Sequence, residues 1–187
     1  MSERLHIRIG IVGGKQVGKR SLAEEYMCKY FNGYKSNESN ESNETNESNE
    51  SNESNEKKPK EVDAQDEYRS TIVTNVGPIM VEITVIRDIK KNGVTDHDAF
   101  IIVSDVTDEK MHTMYTKWHN DLTYCLGHRV LIINCFNKTD VSSVPTYIFE
   151  SSAPAFDIST KTTSGIYDML TYILRRVTKK ENLLICM

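Results

Sequence analysis

Gly13-Gly14-Lys15-Gln16-Val17-Gly18-Lys19 decides the fold of this chain. Ahead of it runs Leu5-His6-Ile7-Arg8-Ile9-Gly10-Ile11-Val12, which alternates at first and then turns almost wholly apolar. That pattern predicts a strand entering a buried sheet. Behind it, Arg20-Ser21-Leu22-Ala23-Glu24-Glu25-Tyr26-Met27-Cys28-Lys29-Tyr30-Phe31 places Leu22, Tyr26, Met27, Tyr30 and Phe31 at helical spacing. A strand, then G-x-x-x-x-G-K, then a helix is the setting of a phosphate-binding loop. Glycines let the backbone curl until successive N–H groups point inward, and the helix N-terminus adds partial positive charge. The predicted phosphate set is Gly13 through Lys19 with Arg20 and Ser21, and Lys19 reaches the outer phosphates. Arg20 stands where such loops carry a Ser or Thr hydroxyl for magnesium.

Further along, Ser36 to Glu56 is seven Ser/Thr-Asn-Glu triplets without one apolar residue, so it cannot join a core and is expected to be disordered. The insertion, taken as about 33–62, interrupts what otherwise reads as a single domain over 1–187. Asp66 to Thr74 and Ile79 to Ile86 alternate about Asn75-Val76-Gly77-Pro78, which predicts a hairpin. Ala99 to Val103 and Val130 to Ile133 are short apolar runs of the central-strand kind, and Ala155 to Ile158 is a last strand. Helices are expected over Asp105 to Leu126, ended by Gly127, and over Ser164 to Lys180. A short one is placed in Pro145 to Ser152. Strands alternating with helices predict an α/β, doubly wound mixed sheet.

Composition narrows the function. The chain has 187 residues and a formal charge of −4; the triplets carry seven Glu, which leaves about +3 for the rest. A nearly neutral domain gives no case for a nucleic-acid surface. Cys28, Cys125, Cys135 and Cys186 lie far apart, and the histidines show no ligand spacing, so neither zinc nor a disulfide framework is indicated. No signal peptide or membrane span is read, and a cytoplasmic protein is expected. Cys186 is second from the end where a prenylation box needs the fourth, so no strong membrane-anchor signal is expected.

Four stretches stand in one order: Gly13 to Lys19, Asp66-Glu67-Tyr68-Arg69-Ser70-Thr71-Ile72, Asn137-Lys138-Thr139-Asp140, and Ser159-Thr160-Lys161. In this the chain resembles the small GTPases of the Ras superfamily, and Tyr68 to Ile72 looks most like the Rab branch. The resemblance implies a P-loop NTPase fold with a mixed six-stranded sheet flanked by helices. It implies a guanine nucleotide, GTP or GDP, as ligand, with protein effectors or regulators as partners. Guanine offers N1–H and its 2-amino group side by side, and the Asp140 carboxylate can accept from both. Adenine would leave that carboxylate unsatisfied. By similarity Asn137 tethers the loop and the N7 edge, Lys138 covers the base face, and Ser159-Thr160-Lys161 meets the guanine O6. Tyr68 and Thr71 match first-switch positions over the phosphates.

The chain departs from the family at the metal. Aligned on Val81-Glu82-Ile83-Thr84, the magnesium-organising aspartate falls on Val85, the γ-phosphate-sensing glycine on Asp88 and the water-orienting glutamine on Ile89. With Arg20 in the loop as well, both protein ligands that normally hold magnesium are missing. Arg20 either supplies charge near the β-phosphate in the ion's place or swings into solvent. The expected function is therefore a regulatory or trafficking switch with weak or no intrinsic GTP hydrolysis and no catalytic residue. The alternatives are a pseudo-GTPase interaction module that needs no nucleotide and, less favoured, a P-loop kinase.

Overall fold

The computed structural model describes residues 5–29, 66–89, 94, 96–127, 130–143 and 153–186. The triplet tract and the short helix expected between Pro145 and Ser152 lie outside the described residues. In chain order the elements are β1 (Leu5–Gly13), α1 (Lys19–Lys29), β2 (Asp66–Thr74), β3 (Gly77–Val85), β4 (Ala99–Asp105), α2 (Met111–Leu126), β5 (Leu131–Asn137), β6 (Ala155–Asp157) and α3 (Ile166–Thr178). The six strands form one sheet in the order β2-β3-β1-β4-β5-β6. Every neighbouring pair is parallel except β2 with β3, the antiparallel hairpin.

Period-two alternation assigns the two faces of this sheet. Ile7, Ile9 and Ile11 of β1 point into one core with Ile79, Val81 and Ile83 of β3, together with Leu22 of α1 and Met169, Leu170, Ile173 and Leu174 of α3. Val12, Phe100 and Ile102 point the other way, against Tyr115 and Leu122 of α2. Central strands buried on both faces read as continuous apolar runs, and β4 does so from Ala99 to Val103. The α/β architecture and mixed six-stranded sheet are those expected from the sequence.

Boundaries differ from those expected, in three elements for a clear local reason. The second helix starts at Met111, not Asp105. The Asp105 carboxylate accepts from the Thr107 N–H at 2.9 Å and the Thr107 hydroxyl at 2.7 Å, and this turn competes with helix. β5 continues past Ile133 to Asn137, because its ladder with β4 runs to Asp105 opposite Asn137. α3 is trimmed at both ends, where Gly165 (φ 73°) and Lys179 (φ 57°) sit in the left-handed region.

Beyond α3 the chain returns to the hairpin. Thr74 bridges Ile185, the Asn75 N–H donates to Leu184 O at 3.0 Å, and the Cys186 N–H donates to Val73 O at 2.9 Å. No helix among the described residues is long and apolar enough to cross a membrane.

Candidate functional site

Parallel strands deliver their C-terminal ends to one edge of the sheet, where ligands of open α/β folds bind. At that edge β1 ends in Gly13, β4 in Asp105 and β5 in Asn137, and the loop between β1 and α1 lies among them. Gly13 (φ 148°) lies where L side chains rarely go, and a Cβ there would strike the Val103 carbonyl. Gly18 (φ 94°) faces a Cβ collision with Asn137 Nδ2. Gln16 holds φ 60° without being glycine, local strain of the sort that marks functional loops. These conformations curl the chain from Gly13 to Lys19 around an open groove of about 670 Å³, lined among others by Lys15, Lys19, Asp66, Val85, Arg87 and Trp118.

Lys19 folds back over its own loop. Its ammonium donates to Gly13 O at 3.0 Å and to Gly14 O. Burial, with the charge of Arg87 adding to it, lowers its pKa from the ordinary value. Lys15 and Gln16 are exposed at the rim, Val17 is buried beneath the loop, and Ser21 is exposed on α1.

The residues expected to meet a base converge through Asn137, which is fully buried. Its Nδ2 donates to Val17 O at 2.9 Å and to Thr160 Oγ1 at 3.4 Å, while its Oδ1 accepts from the Thr160 N–H at 3.0 Å and the Lys138 N–H at 2.8 Å. One amide thus binds the β1–α1 loop, the end of β5 and the loop after β6. Ser159, also buried, donates its hydroxyl to Asp140 Oδ1 at 2.7 Å, and Lys161 Nζ stands 3.8 Å from Asp140 Oδ2. The Ser159 hydrogen bond leads the causes that lower the Asp140 pKa, so the carboxylate is held ionised as an acceptor. Lys138, at φ 69°, pairs its ammonium with Asp105. Burial works to raise the Asp105 pKa, but hydrogen bonds from Lys138 and Thr107 outweigh it and hold the carboxyl below the ordinary range.

The hairpin side does not gather in the same way. Gly77 pairs with Thr74, and counting back along the ladder puts Thr71 opposite Met80 in mid-strand. Tyr68 and Thr71 lie three residues apart on a strand and so face opposite sides of the sheet: Tyr68 packs half-buried on the larger core and Thr71 is exposed. Neither lines the groove. The hairpin residue that does is Asp66, opposite Val85. Ile89 is buried in the α2-side core rather than turned toward the groove.

Arg20 lines the groove, largely exposed, and is held there by a carboxylate. Its Nε and Nη2 lie 3.1 and 2.8 Å from Asp66 Oδ2, and Arg87 Nη2 approaches the same oxygen to 3.6 Å. Asp66 and Arg87 escaped the sequence reading, although the hairpin ladder, counted from its turn, would have brought Asp66 beside Val85. The groove carries Val85 and Arg20 at the expected ligand positions, and Asp66 is already engaged by two guanidiniums. Among the described residues no group of three or more His, Cys, Asp or Glu could hold a metal ion.

Compared with models of known protein families and with curated proteins, the chain matches none. The reading of the site therefore rests on its own geometry.

Proposed function

We propose that this chain is a guanine-nucleotide-binding protein of the small-GTPase kind, built on a P-loop NTPase fold. It acts as a regulatory or trafficking switch with weak or no intrinsic hydrolysis, through protein effectors or regulators. The observation that carries this reading is the Asn137 brace. A single buried amide joins the glycine-rich loop, through Val17 O, to the segment that presents Ser159 and Thr160 beside Asp140. Such a brace couples a phosphate cradle to an ionised carboxylate able to accept both guanine donors. An adenine base would offer that carboxylate no such pair of donors. The antiparallel β2–β3 hairpin on an otherwise parallel sheet supports the same architecture. Hydrolysis is weak because Ile89 is packed in a core and Val85 carries no ligand atom, so neither orients water nor organises a metal.

The test is chemical. Protein purified without added nucleotide is denatured and the released small molecules are separated by chromatography. GDP or GTP at near-equal ratio to protein supports the reading, and binding of GDP but not ADP to the emptied protein supports the role of Asp140. An empty site with no measurable affinity for GDP or GTP would overturn it.

One observation favours the nucleotide-independent interaction module. The Lys19 ammonium is satisfied by carbonyls of its own loop and needs no phosphate to complete its hydrogen bonds. That module predicts a full-strength partner interaction in the Lys19→Ala variant, whereas a nucleotide switch predicts its loss.

A further inference from the structure

The Asp66 carboxylate sits between two guanidiniums at the mouth of the groove, with Arg20 Nη2 at 2.8 Å and Arg87 Nη2 at 3.6 Å. The two arginines come from different elements. Arg20 is in the first turn of α1, directly after Lys19, and Arg87 lies just past the end of β3. Asp66 opens β2, and its place opposite Val85 brings it to the same point. Three segments are therefore clipped together over the phosphate-type loop by one carboxylate. All three residues line the groove with Lys15 and Lys19, so four cations face one acidic group there. The field of Arg87 reaches Lys19, since it helps to depress the ammonium.

A carboxylate oxygen shared by two guanidiniums gives them a charged acceptor of the kind that a phosphate oxygen also provides. We infer that Asp66 is an internal stand-in for the terminal phosphate of a nucleoside triphosphate, which displaces it from Arg20 and Arg87 without a divalent metal. This rests on the nucleotide reading above and deepens it. In the structure described here the arginines hold the start of β2. With a triphosphate bound they hold the ligand, and β2 loses its clip to α1 and to the end of β3. The pair is open to exchange because Arg20 is largely solvent-exposed, and exposed ion pairs are weak. A phosphate offers more charge and further acceptor oxygens at the same point. The two guanidiniums supply the charge that an ion bridging the outer phosphates would otherwise bring.

The sign of one substitution separates this from a structural ion pair. Binding of GTP and of GDP to the full chain is titrated with EDTA and with magnesium present. The intact protein is expected to hold GTP with a Kd that changes less than about twofold between the two conditions. Asp66→Asn removes the competitor and should tighten GTP binding several-fold while leaving GDP nearly unchanged. Arg87→Gln should weaken GTP by about tenfold and GDP far less, the loss of a charge-assisted contact to one phosphate. Urea unfolding of each variant checks that the fold persists, and Arg87→Lys, which keeps charge without the fork, should recover only part of the loss. Asp66→Asn leaving GTP affinity unchanged, or weakening it only when magnesium is present, would overturn the inference; the second result would make Asp66 a metal ligand. Arg87→Gln lowering GTP and GDP affinity equally would overturn it too. Absence of both affinities in the unaltered chain is a different failure, because it removes the nucleotide reading itself.

Discussion

The two ends of the proposed site are built on opposite plans. At the base end every polar group of Asn137 is spoken for, Ser159 is buried, and the Asp140 carboxylate is oriented by a hydroxyl at 2.7 Å. At the phosphate end the residues at the expected metal-ligand positions are an arginine and a valine, and an exposed ion pair lines the open groove. The base end is braced through buried hydrogen bonds, which are costly to break. The phosphate end is held by surface charge, which exchanges readily and weakens with salt. For the nucleotide proposed above, recognition would be rigid at the base and adjustable at the phosphates.

The largest effect is expected from Asn137→Ala. It orphans Val17 O and removes the link to Thr160, so stability should fall by about 2–3 kcal/mol in urea unfolding, with GDP binding lost as well. A variant as stable as the parent would show that the two ends do not differ in bracing. Next comes Asp140→Asn, which should weaken GDP by about a hundredfold and favour xanthosine diphosphate, because xanthine exchanges an amino donor for a carbonyl. Unchanged GDP affinity would take Asp140 out of the site.

The phosphate end sharpens the contrast through metal. Nucleotide release followed by stopped-flow fluorescence should be nearly insensitive to chelator, and turnover should not exceed the slow intrinsic Ras-type rate, on the order of 10⁻⁴ per second. Arg20→Ser with Val85→Asp should make release chelator-sensitive while turnover stays low. Strong magnesium dependence in the unaltered protein would contradict the whole assignment of that end.

Smaller still is a pH effect. Asp105 has its pKa lowered in the folded state, so its contribution is present above the unfolded value and lost as pH falls through the folded one. Asp105→Asn should therefore flatten the loss of stability below about pH 4, measured by thermal melts across the acid range. The least effect should come from deleting Ser36 to Glu56, which holds no apolar residue to bury; the melting temperature should move by no more than about 2 °C. A large drop would show that the tract packs on the domain.

Most of the sheet was legible because its signals are local. Apolar runs at Ala99 to Val103, the alternation from Ile79 to Val85 and the Asn75 to Pro78 turn each report a strand or turn by themselves. The meeting of Asn137, Asp140 and Ser159 was legible too, since Asn137-Lys138-Thr139-Asp140 stands at the end of an apolar strand. Whatever depends on register was not. Tyr68 to Ile72 reads alike as a loop over phosphates or as a strand, and only its pairing with β3 puts Thr71 in mid-ladder. The meeting of Arg20, Asp66 and Arg87 joins residues 46 and 21 positions apart, through contacts that no local pattern encodes. Asn134 shows the same limit: a polar side chain inside a strand, fully buried, where its polarity argues for a loop.

The segment after α3 has a mechanical consequence. Leu183 and Ile185 are 0% and 6% exposed, and both sit in the core that α3 also lines. Asn75 receives the Leu184 N–H on its Oδ1 at 2.9 Å and donates Nδ2 to Asn182 O at 3.0 Å, while Arg175 of α3 grips Leu183 O at 2.8 Å. This stretch hems the sheet, sewing the hairpin tip to the last helix. A leash needs slack, and up to Cys186 there is none to give. Cutting the chain after Lys180 would do more than shorten it: the hairpin and α3 would lose the stitches that make them move as one piece.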